Sequence, residues 1–307
     1  MMAARQRPEA FAWSPPQVEF QGGVIAEYAH YFDPKASSAQ PRLEFFTVVD
    51  VFSKPSSALT SPQQSVPCEY KFNELSWSPS ISETHPSGII FGGTENGTVV
   101  FLDAHQLVHN SSLSVISSRR DHQGHVLSVD FSSDARWAIS AGAAAQLLLW
   151  DLSNLATPFS PGAPNFTDQV RRVRWNRSMA NIVASLSSQR GSLWDMRHPG
   201  GPILEFVEIG SGCDWADLCW KPDDSSTLIV ASQLALAPGV QKWDLRYPTA
   251  PVNEYHVHDR GVTAIDWWVV ILRFISSFWD LKSSLHPQTS DQGCPRNRLS
   301  IVSAVGS

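Results

Sequence analysis

Short runs of alternating apolar and polar residues, each ending in an aromatic residue, recur along most of the chain. In Leu75-Ser76-Trp77, the leucine and the tryptophan share one face of an extended strand and the serine lies on the other. The aromatic residues that end these runs are Trp77, Phe131, Trp175, Trp220 and Trp267, at spacings of 54, 44, 45 and 47 residues. The pattern predicts one β-strand at the same place in each repeat.

Two more apolar runs follow in each repeat. The first is a strand of small residues, and the second ends in Trp-Asp at Trp150-Asp151, Trp194-Asp195 and Trp243-Asp244, which lie 44 and 49 residues apart. Repeats of this length that close on Trp-Asp are typical of β-propeller blades. We therefore predict an all-β fold, a WD-repeat β-propeller of about five to seven blades. We expect the small-residue strand to lie in the inner part of the blade, and a polar loop to follow Trp-Asp.

Proteins with WD repeats commonly fix each blade with a histidine near its start and an acidic turn residue before the tryptophan. By resemblance to that family, His125, 25 residues before Trp150, is predicted to be the structural blade histidine. The acidic position is occupied instead by Ala144, Ser188 and Ala237 in three repeats. We therefore expect the blades to be held mainly by packing.

The repeat becomes irregular at both ends of the chain. We predict a disordered segment at 1–11 and a propeller over 12–307, irregular at 12–60, regular at 68–267 and disrupted at 268–307. Residues 22–41 have the composition of a loop. Trp279-Asp280 follows Trp267 by only 12 residues, against 19 to 24 in the other blades. We expect that blade material is missing between about 268 and 293, and that 291–307 forms the middle of another blade.

Composition excludes several classes of function. The net charge of −6 and the isoelectric point near 5.9 provide no basic surface for nucleic acid. The four cysteines include no Cys-x-x-Cys pair, so we expect buried thiols, no metal site and no cofactor. The N-terminus lacks a secretory apolar segment, and no run has the length of a membrane span.

Two charged clusters have simple interpretations as solvated groups. The aspartates at 214, 217, 223 and 224 flank a strand and its turn, as loop charges do. The basic run Arg171-Arg172-x-Arg174 stands at a strand start and is predicted to be a solvated edge. The chain also has no Gly-x-Ser-x-Gly, phosphate-binding glycine loop or His-Glu-x-x-His, so we expect no catalysis.

An ordered series of motifs resembles one family more specifically. It comprises Trp150-Asp151-Leu152-Ser153-Asn154 with Pro161-Gly162, then Trp175-Asn176-Arg177, then Trp243-Asp244-Leu245-Arg246 before a proline-containing loop. The series is similar to the N-terminal propeller of the larger outer-cage subunit of the COPII vesicle coat. The resemblance implies a non-catalytic scaffold for vesicle budding and ER-to-Golgi protein transport. It also implies partners in the smaller propeller subunit of the cage and other coat subunits, and a cytoplasmic location peripheral to the endoplasmic reticulum membrane and COPII vesicles.

An alternative function rests on two arginines. Arg197 and Arg246 complete a Trp-Asp-x-Arg ending of the kind that substrate receptors of cullin-type ubiquitin ligases present to their adaptor. Both are therefore possible partner-binding residues. A simpler interpretation is that each arginine pairs with the aspartate of its own blade edge.

Overall fold

The computed structural model of the chain describes residues 10–15, 22–27, 41–47, 63–79, 84–110, 113–162, 168–207, 214–234, 239–256, 261–269 and 297–302. Over these ranges it consists of β-strands and one short helix, which confirms the all-β fold. Among the described residues, no helix is long and apolar enough to cross a membrane.

The strands form six antiparallel sheets, which we call blades 1 to 6 in chain order. Blade 1 contains β1 (Ala10–Trp13), β2 (Gly22–Glu27), β3 (Arg42–Thr47) and β4 (Gln64–Pro67). Blade 2 contains β5 (Phe72–Trp77), β6 (Ile89–Thr94), β7 (Val99–Asp103), helix α1 (Ala104–Asn110) and β8 (Val115–Arg119). Blade 3 contains β9 (Val126–Phe131), β10 (Trp137–Gly142), β11 (Leu147–Asp151) and β12 (Asn154–Phe159). Blade 4 contains β13 (Arg172–Trp175), β14 (Ile182–Leu186), β15 (Arg190–Asp195) and β16 (Leu204–Val207). Blade 5 contains β17 (Trp215–Trp220), β18 (Thr227–Ser232), β19 (Val240–Asp244) and β20 (Asn253–Tyr255), and blade 6 contains β21 (Ala264–Val269) and β22 (Asn297–Val302).

The first strands of the six blades surround one central cavity. Each of blades 1 to 5 is a four-stranded meander whose strands follow chain order, and neighbouring first strands are in contact from β1 through β21. The cavity, of about 460 Å³, is lined by side chains from all six first strands. This arrangement is that of a β-propeller.

The aromatic strand, and not the small-residue strand, is therefore the innermost strand of each blade. The prediction that the small-residue strand lies innermost was wrong. The sequence pattern does not show that polar side chains of the aromatic strands line a common central cavity. Glu74, Asp130 and Arg174 on the first strands line that cavity. The small-residue strand comes second, where it has strands on both sides and blades on both faces.

A fourth strand lies outside the third strand in each of blades 2 to 5, in the part of the repeat predicted to be a polar loop. β12 is largely exposed, and every residue of β20 is exposed. An outer strand with one edge in solvent does not need an apolar alternation, so its sequence resembles that of a loop.

Apolar layers between blades form the core. Each layer combines the second and third strands of one blade with the first-strand aromatic residue of the next. Trp175 of blade 4, for example, packs with Ile139 and Leu149 of blade 3. Complete burial of one such side chain stabilises the fold by roughly 2 kcal/mol, so these layers join the blades into a single unit.

Blade 1 extends beyond the predicted irregular region. β1 begins at Ala10, inside the segment predicted to be disordered, and β4 continues the sheet to Pro67. β2 lies within the predicted loop, because Gly22–Glu27 pairs along its whole length with β3. Its glycine pair hides the alternation that would have indicated a strand.

Blade 6 corrects the prediction for the C-terminal region. β22 pairs with β21, and Trp267 is opposite Leu299 just as Trp220 is opposite Leu228 in blade 5. Residues 297–302 are therefore the second strand of the blade that begins at β21, and not the middle of another blade. Residues 270–296, with Trp279-Asp280 and the expected gap in blade material, lie outside the described residues.

The layer between blades 4 and 5 depends on a glycine. The Phe206 ring lies over Gly191, its cross-strand partner, and packs on Trp215 and Trp243 with ring centroids 5.6 and 5.0 Å away. We expect Gly191→Ala to lower the free energy of unfolding by about 1–3 kcal/mol, because its methyl group would overlap the Phe206 ring. Urea denaturation would measure the change.

Gly201→Ala is the matched control, since open space surrounds a Cβ added at that position. It should leave stability within about 1 kcal/mol of the wild type. Equal effects of the two substitutions would contradict the packing described for Phe206.

Candidate functional site

The aspartate of each Trp-Asp ending forms a turn. In blades 3, 4 and 5 its carboxylate accepts the backbone N–H of the residue two positions later, at 2.8 to 3.1 Å, as in an Asx turn. Asp103 does the same in blade 2, where it accepts the N–H of His105 at the start of α1. The acceptors in the other blades are Asp151, Asp195 and Asp244. These residues fix the path of the loop that leaves the third strand.

The tryptophan of the same ending donates its indole N–H to a serine of the second strand. The distance from Nε1 to Oγ is 2.9 Å for Trp150 and Ser140, and 2.8 Å for Trp194 and Ser185. Both tryptophans are fully buried, so the serines satisfy donors that water cannot reach.

His122, and not His125, completes this hydrogen-bonded group in blade 3. Its Nε2 lies 2.7 Å from Ser140 Oγ, and the residue is only 5% exposed. The ring lies against Gly142, where an added Cβ would come within 2.9 Å of Nδ1. His125 has an exposed side chain, and its backbone carbonyl accepts the N–H of Ala143. The sequence offered two histidines three residues apart, and only the space above Gly142 distinguishes them.

The first-strand aromatic residues lie between the blades. Trp77, Phe131, Trp175 and Trp220 are buried in the layers between blades, and Trp267 is half-buried. The indole N–H groups of Trp77, Trp175 and Trp220 donate to backbone carbonyls, that of Trp175 to Ala180 at 2.7 Å.

Polar side chains of the first strands connect blade 2 to blade 3, blade 3 to blade 4, and blade 5 to blade 6. Three residues before the aromatic, Glu74, Ser128 and Asp217 accept backbone N–H groups from the following blade. The donors are Val129, Val173 and Ile265, at 2.6, 3.0 and 3.0 Å. Asp130 similarly accepts the N–H of Trp175 at 2.7 Å.

Two charged clusters were therefore misinterpreted from the sequence. Asp217 lies inside strand β17 and is buried, so it is not a solvated loop charge. Arg172 and Arg174 lie on first strand β13 and pair with Glu74 and Asp217 beside the cavity. The sequence of β13 shows the positive charges of its arginines. It does not show that Glu74 and Asp217, from other blades, lie beside them.

The two arginines of the Trp-Asp-x-Arg endings pair locally. Arg197 Nη2 lies 2.6 Å from Asp195, and Arg246 Nη2 lies 2.6 Å from Asp244, with Nε bonded to the same carboxylate in each case. Hydrogen bonds from these guanidinium groups hold the pKa values of both aspartates below their usual range. The arginine side chains are nevertheless 58% and 68% exposed. They are therefore held in place and accessible.

These arginines lie at one end of the ring, where the Trp-Asp strands end. We call this end the Trp-Asp face, formed by the loops between first and second strands and between third and fourth strands. It also carries exposed Ile203, Tyr247 and Val252. Between blades 2 and 3 it contains a cavity of about 550 Å³ lined by residues that include His85, Arg136, Asp151 and Ser153.

Within the described ranges, no group of three or more His, Cys, Asp or Glu residues is placed to hold a metal ion. Cys68 is buried, and burial raises its pKa to about 11. Cys213 and Cys294 lie outside the described residues. The described surface exposes arginine, tyrosine and aliphatic side chains, among them Arg246, Tyr247 and Ile203.

Comparison with known proteins finds relatives that are similar to this propeller. No family model matches the chain. The protein transport protein Sec31A of Danio rerio is 29% identical over 258 residues, covering 77% of this chain and 20% of the relative. Sec31B of Mus musculus is 27% identical over 270 residues, covering 85% of this chain and 23% of the relative. The chain carries a Sec31-like propeller region.

A solved structure shares the Sec31-like fold. A chain of "COPII on membranes, outer coat vertex" superposes with a TM-score of 0.69 at 24% identity, covering 84% of this chain and 67% of that one. The Sec31-like chain spans about a fifth of the length of the curated relatives it matches.

One tryptophan of the Sec31-like propeller lacks the serine acceptor. Val230 occupies the serine's place in blade 5, and Trp243 Nε1 has no hydrogen-bond partner among the described residues. We expect Val230→Thr to leave the free energy of unfolding within about 0.5 kcal/mol of the wild type, because the new hydroxyl can accept that N–H. Chemical denaturation would measure it.

Val183→Thr is the control, because Val183 is equally buried and Trp194 beside it already has its acceptor. That substitution buries a hydroxyl with no donor waiting for it and should cost about 1–3 kcal/mol. The same loss at both positions would show that the Trp243 donor is satisfied in another way.

Acid should weaken the Sec31-like propeller through His122. Burial lowers the pKa of His122 to about 4, although Asp121 opposes the shift, whereas the unfolded chain titrates near 6.5. Because the unfolded state binds the proton first, stability falls as the pH drops from about 6.5 towards 4, by up to about 3 kcal/mol. Thermal melts across this window would detect the loss.

His122→Gln should be less stable at neutral pH and should show a flatter pH dependence between 6.5 and 4 than the wild type. His125→Gln should reproduce the wild-type profile, because the His125 side chain is exposed. The reverse pattern would assign the blade histidine to position 125 after all.

Proposed function

We propose that this chain is a non-catalytic scaffold component of the COPII coat. In this role it supports vesicle budding from the endoplasmic reticulum and ER-to-Golgi protein transport through protein–protein contacts. The observation that carries the proposal is similarity to Sec31A and Sec31B over about four fifths of this chain. The fold shared with a COPII outer-coat structure agrees with it.

The proposed partners are the smaller propeller subunit of the COPII cage and other coat subunits. The proposed location is cytoplasmic, peripheral to the endoplasmic reticulum membrane and to COPII vesicles. Binding to the membrane would then be indirect, through the coat. The net charge of −6 is consistent with contact to proteins rather than direct attraction to an anionic lipid surface.

We assign partner contact to the Trp-Asp face, with Arg197 and Arg246 as contact residues. Arginine and tyrosine are enriched at protein interfaces, and this face exposes both arginines together with Tyr247. Each guanidinium is already oriented by two hydrogen bonds to its own aspartate. Binding therefore orders fewer rotamers, and less conformational entropy is lost.

The ubiquitin-ligase alternative finds no such support. The relatives described above are protein transport proteins, and nothing in them indicates a ligase adaptor.

Co-purification from cells tests the proposal. Tagged full-length chain should recover COPII cage subunits, and Arg197→Ala with Arg246→Ala should lower recovery about tenfold or more, since hot-spot side chains contribute 2 kcal/mol or more. Arg119→Ala is the matched control, because Arg119 is a partly exposed arginine paired with Asp121 away from the Trp-Asp face.

The coat function and the contact role of the two arginines can be refuted independently. Wild-type chain that recovers no COPII subunit would refute the coat function. Recovery that is equal for the wild type and the double variant would refute the contact role of the two arginines. Recovery of a ligase adaptor that depends on the arginines would favour the alternative.

A further inference from the structure

Four charged side chains meet beside the central cavity, and we call them the cavity cluster. They are Glu74 of blade 2, Arg172 and Arg174 of blade 4, and Asp217 of blade 5. Glu74 Oε1 lies 2.8 Å from Arg174 Nη2 and 3.1 Å from Arg172 Nη1. Asp217 Oδ1 lies 3.1 Å from Arg172 Nε and 3.8 Å from Arg174 Nη2.

The cluster joins blades that are not neighbours. Blade 3 separates Glu74 from the two arginines, and β5 contacts β9 while β9 contacts β13. The apolar layers, by contrast, are formed from consecutive blades. An ion pair between blades 2 and 4 restricts how far blade 4 can rotate relative to blade 2, and therefore acts on both intervening blade-to-blade angles at once.

The same carboxylates extend the cluster to two more blades. Glu74 Oε2 accepts the N–H of Val129 in blade 3, and Asp217 Oδ2 accepts the N–H of Ile265 in blade 6. Five consecutive blades, 2 to 6, are therefore connected through four side chains. In blade 4 the position three residues before the first-strand aromatic is occupied by a basic residue, Arg172. Its positive charge offsets the negative charges of Glu74 and Asp217.

Stability alone does not account for such a cluster. Taking two ions out of water commonly costs as much as their attraction returns, and replacing a buried ionic group by apolar residues is often neutral or stabilising. The two arginines nevertheless favour the ionised form of Glu74. Burial would raise its pKa, but Arg174 and Arg172 outweigh that effect and hold the pKa below its ordinary value. The best-attested role of retained buried charge is to select one geometry among several.

We propose that the cavity cluster fixes the angles between blades 2 to 6, with Arg172 and Arg174 as positioning residues. The apolar layers supply cohesion, but burial by itself has little directionality. Two planar guanidinium groups between two carboxylates permit far fewer arrangements. The relative positions of surfaces on blades 2 to 5 follow from this constraint, whichever partner they bind.

The test removes the charges and keeps the acceptors. The quadruple variant Glu74→Gln, Arg172→Met, Arg174→Met and Asp217→Asn retains the carbonyl oxygens for Val129 and Ile265 and the length of the arginine stems. We expect its denaturation midpoint to match or exceed that of the wild type. Arg174→Met alone should be less stable than either, because it leaves two largely buried carboxylates, Glu74 and Asp217, to share the single charge of Arg172.

The readout specific to positioning is amide hydrogen exchange. In the quadruple variant, protection of first strands β9, β13 and β21 should fall about tenfold or more, while second strands β14 and β18 remain as in the wild type. Arg119→Met with Asp121→Asn is the control, because it removes a partly exposed pair and should change neither set.

Two results would overturn the proposal. One is unchanged protection of the first strands in the quadruple variant. The other is a parallel loss in first and second strands, which would assign the cluster to overall stability. If the quadruple variant does not fold, Arg172→Lys with Arg174→Lys decides: it keeps both charges but loses the planar fork, and should lower protection of the first strands selectively.

Discussion

Each blade has two apolar faces, and only a neighbouring blade can cover them. This constraint organises the structure from blade 1 to blade 6. It explains why the first-strand aromatic residues recur at nearly constant spacing, because each one fills the layer formed with the preceding blade. It also explains why divergence of the turn residues is tolerated. Burial in the layers stabilises the fold more than any single turn hydrogen bond does.

Burial of whole strands creates a second requirement, that polar groups inside the ring find partners. Three recurring kinds of hydrogen bond provide these partners. Serines of second strands accept tryptophan N–H groups, first-strand acids and a serine accept N–H groups of the next blade, and third-strand aspartates form turns. Where Leu102 replaces the tryptophan in blade 2, Gly92 takes the serine's place and no acceptor is needed. The donor and the acceptor are thus absent together.

The outer surface follows different rules from the interior. Asp195 and Asp244 each make two kinds of contact with one carboxylate. Each accepts the backbone N–H that forms the Asx turn and pairs with the guanidinium group of Arg197 or Arg246. The turn therefore orients a side chain that remains accessible. A Sec31-like propeller with such residues on one face is suited to recurrent contacts with other proteins.

The sequence by itself determined the all-β repeat, the positions of the aromatic and Trp-Asp strands, and the resemblance to a COPII outer-cage propeller. These features depend on local alternation and on spacing along the chain, which a sequence displays directly. It also led to the local pairing of Arg197 and Arg246, because partners two residues apart need no tertiary information.

Only the tertiary structure decided which strand is innermost, that outer strands such as β12 exist, and that β22 is the second strand of the blade begun by β21. It alone selected His122 over His125, because the choice depends on the space above Gly142. It also paired Arg172 with Glu74, 98 residues earlier in the chain. In each case the deciding quantity is a distance between residues far apart in the chain, and no local pattern encodes such a distance.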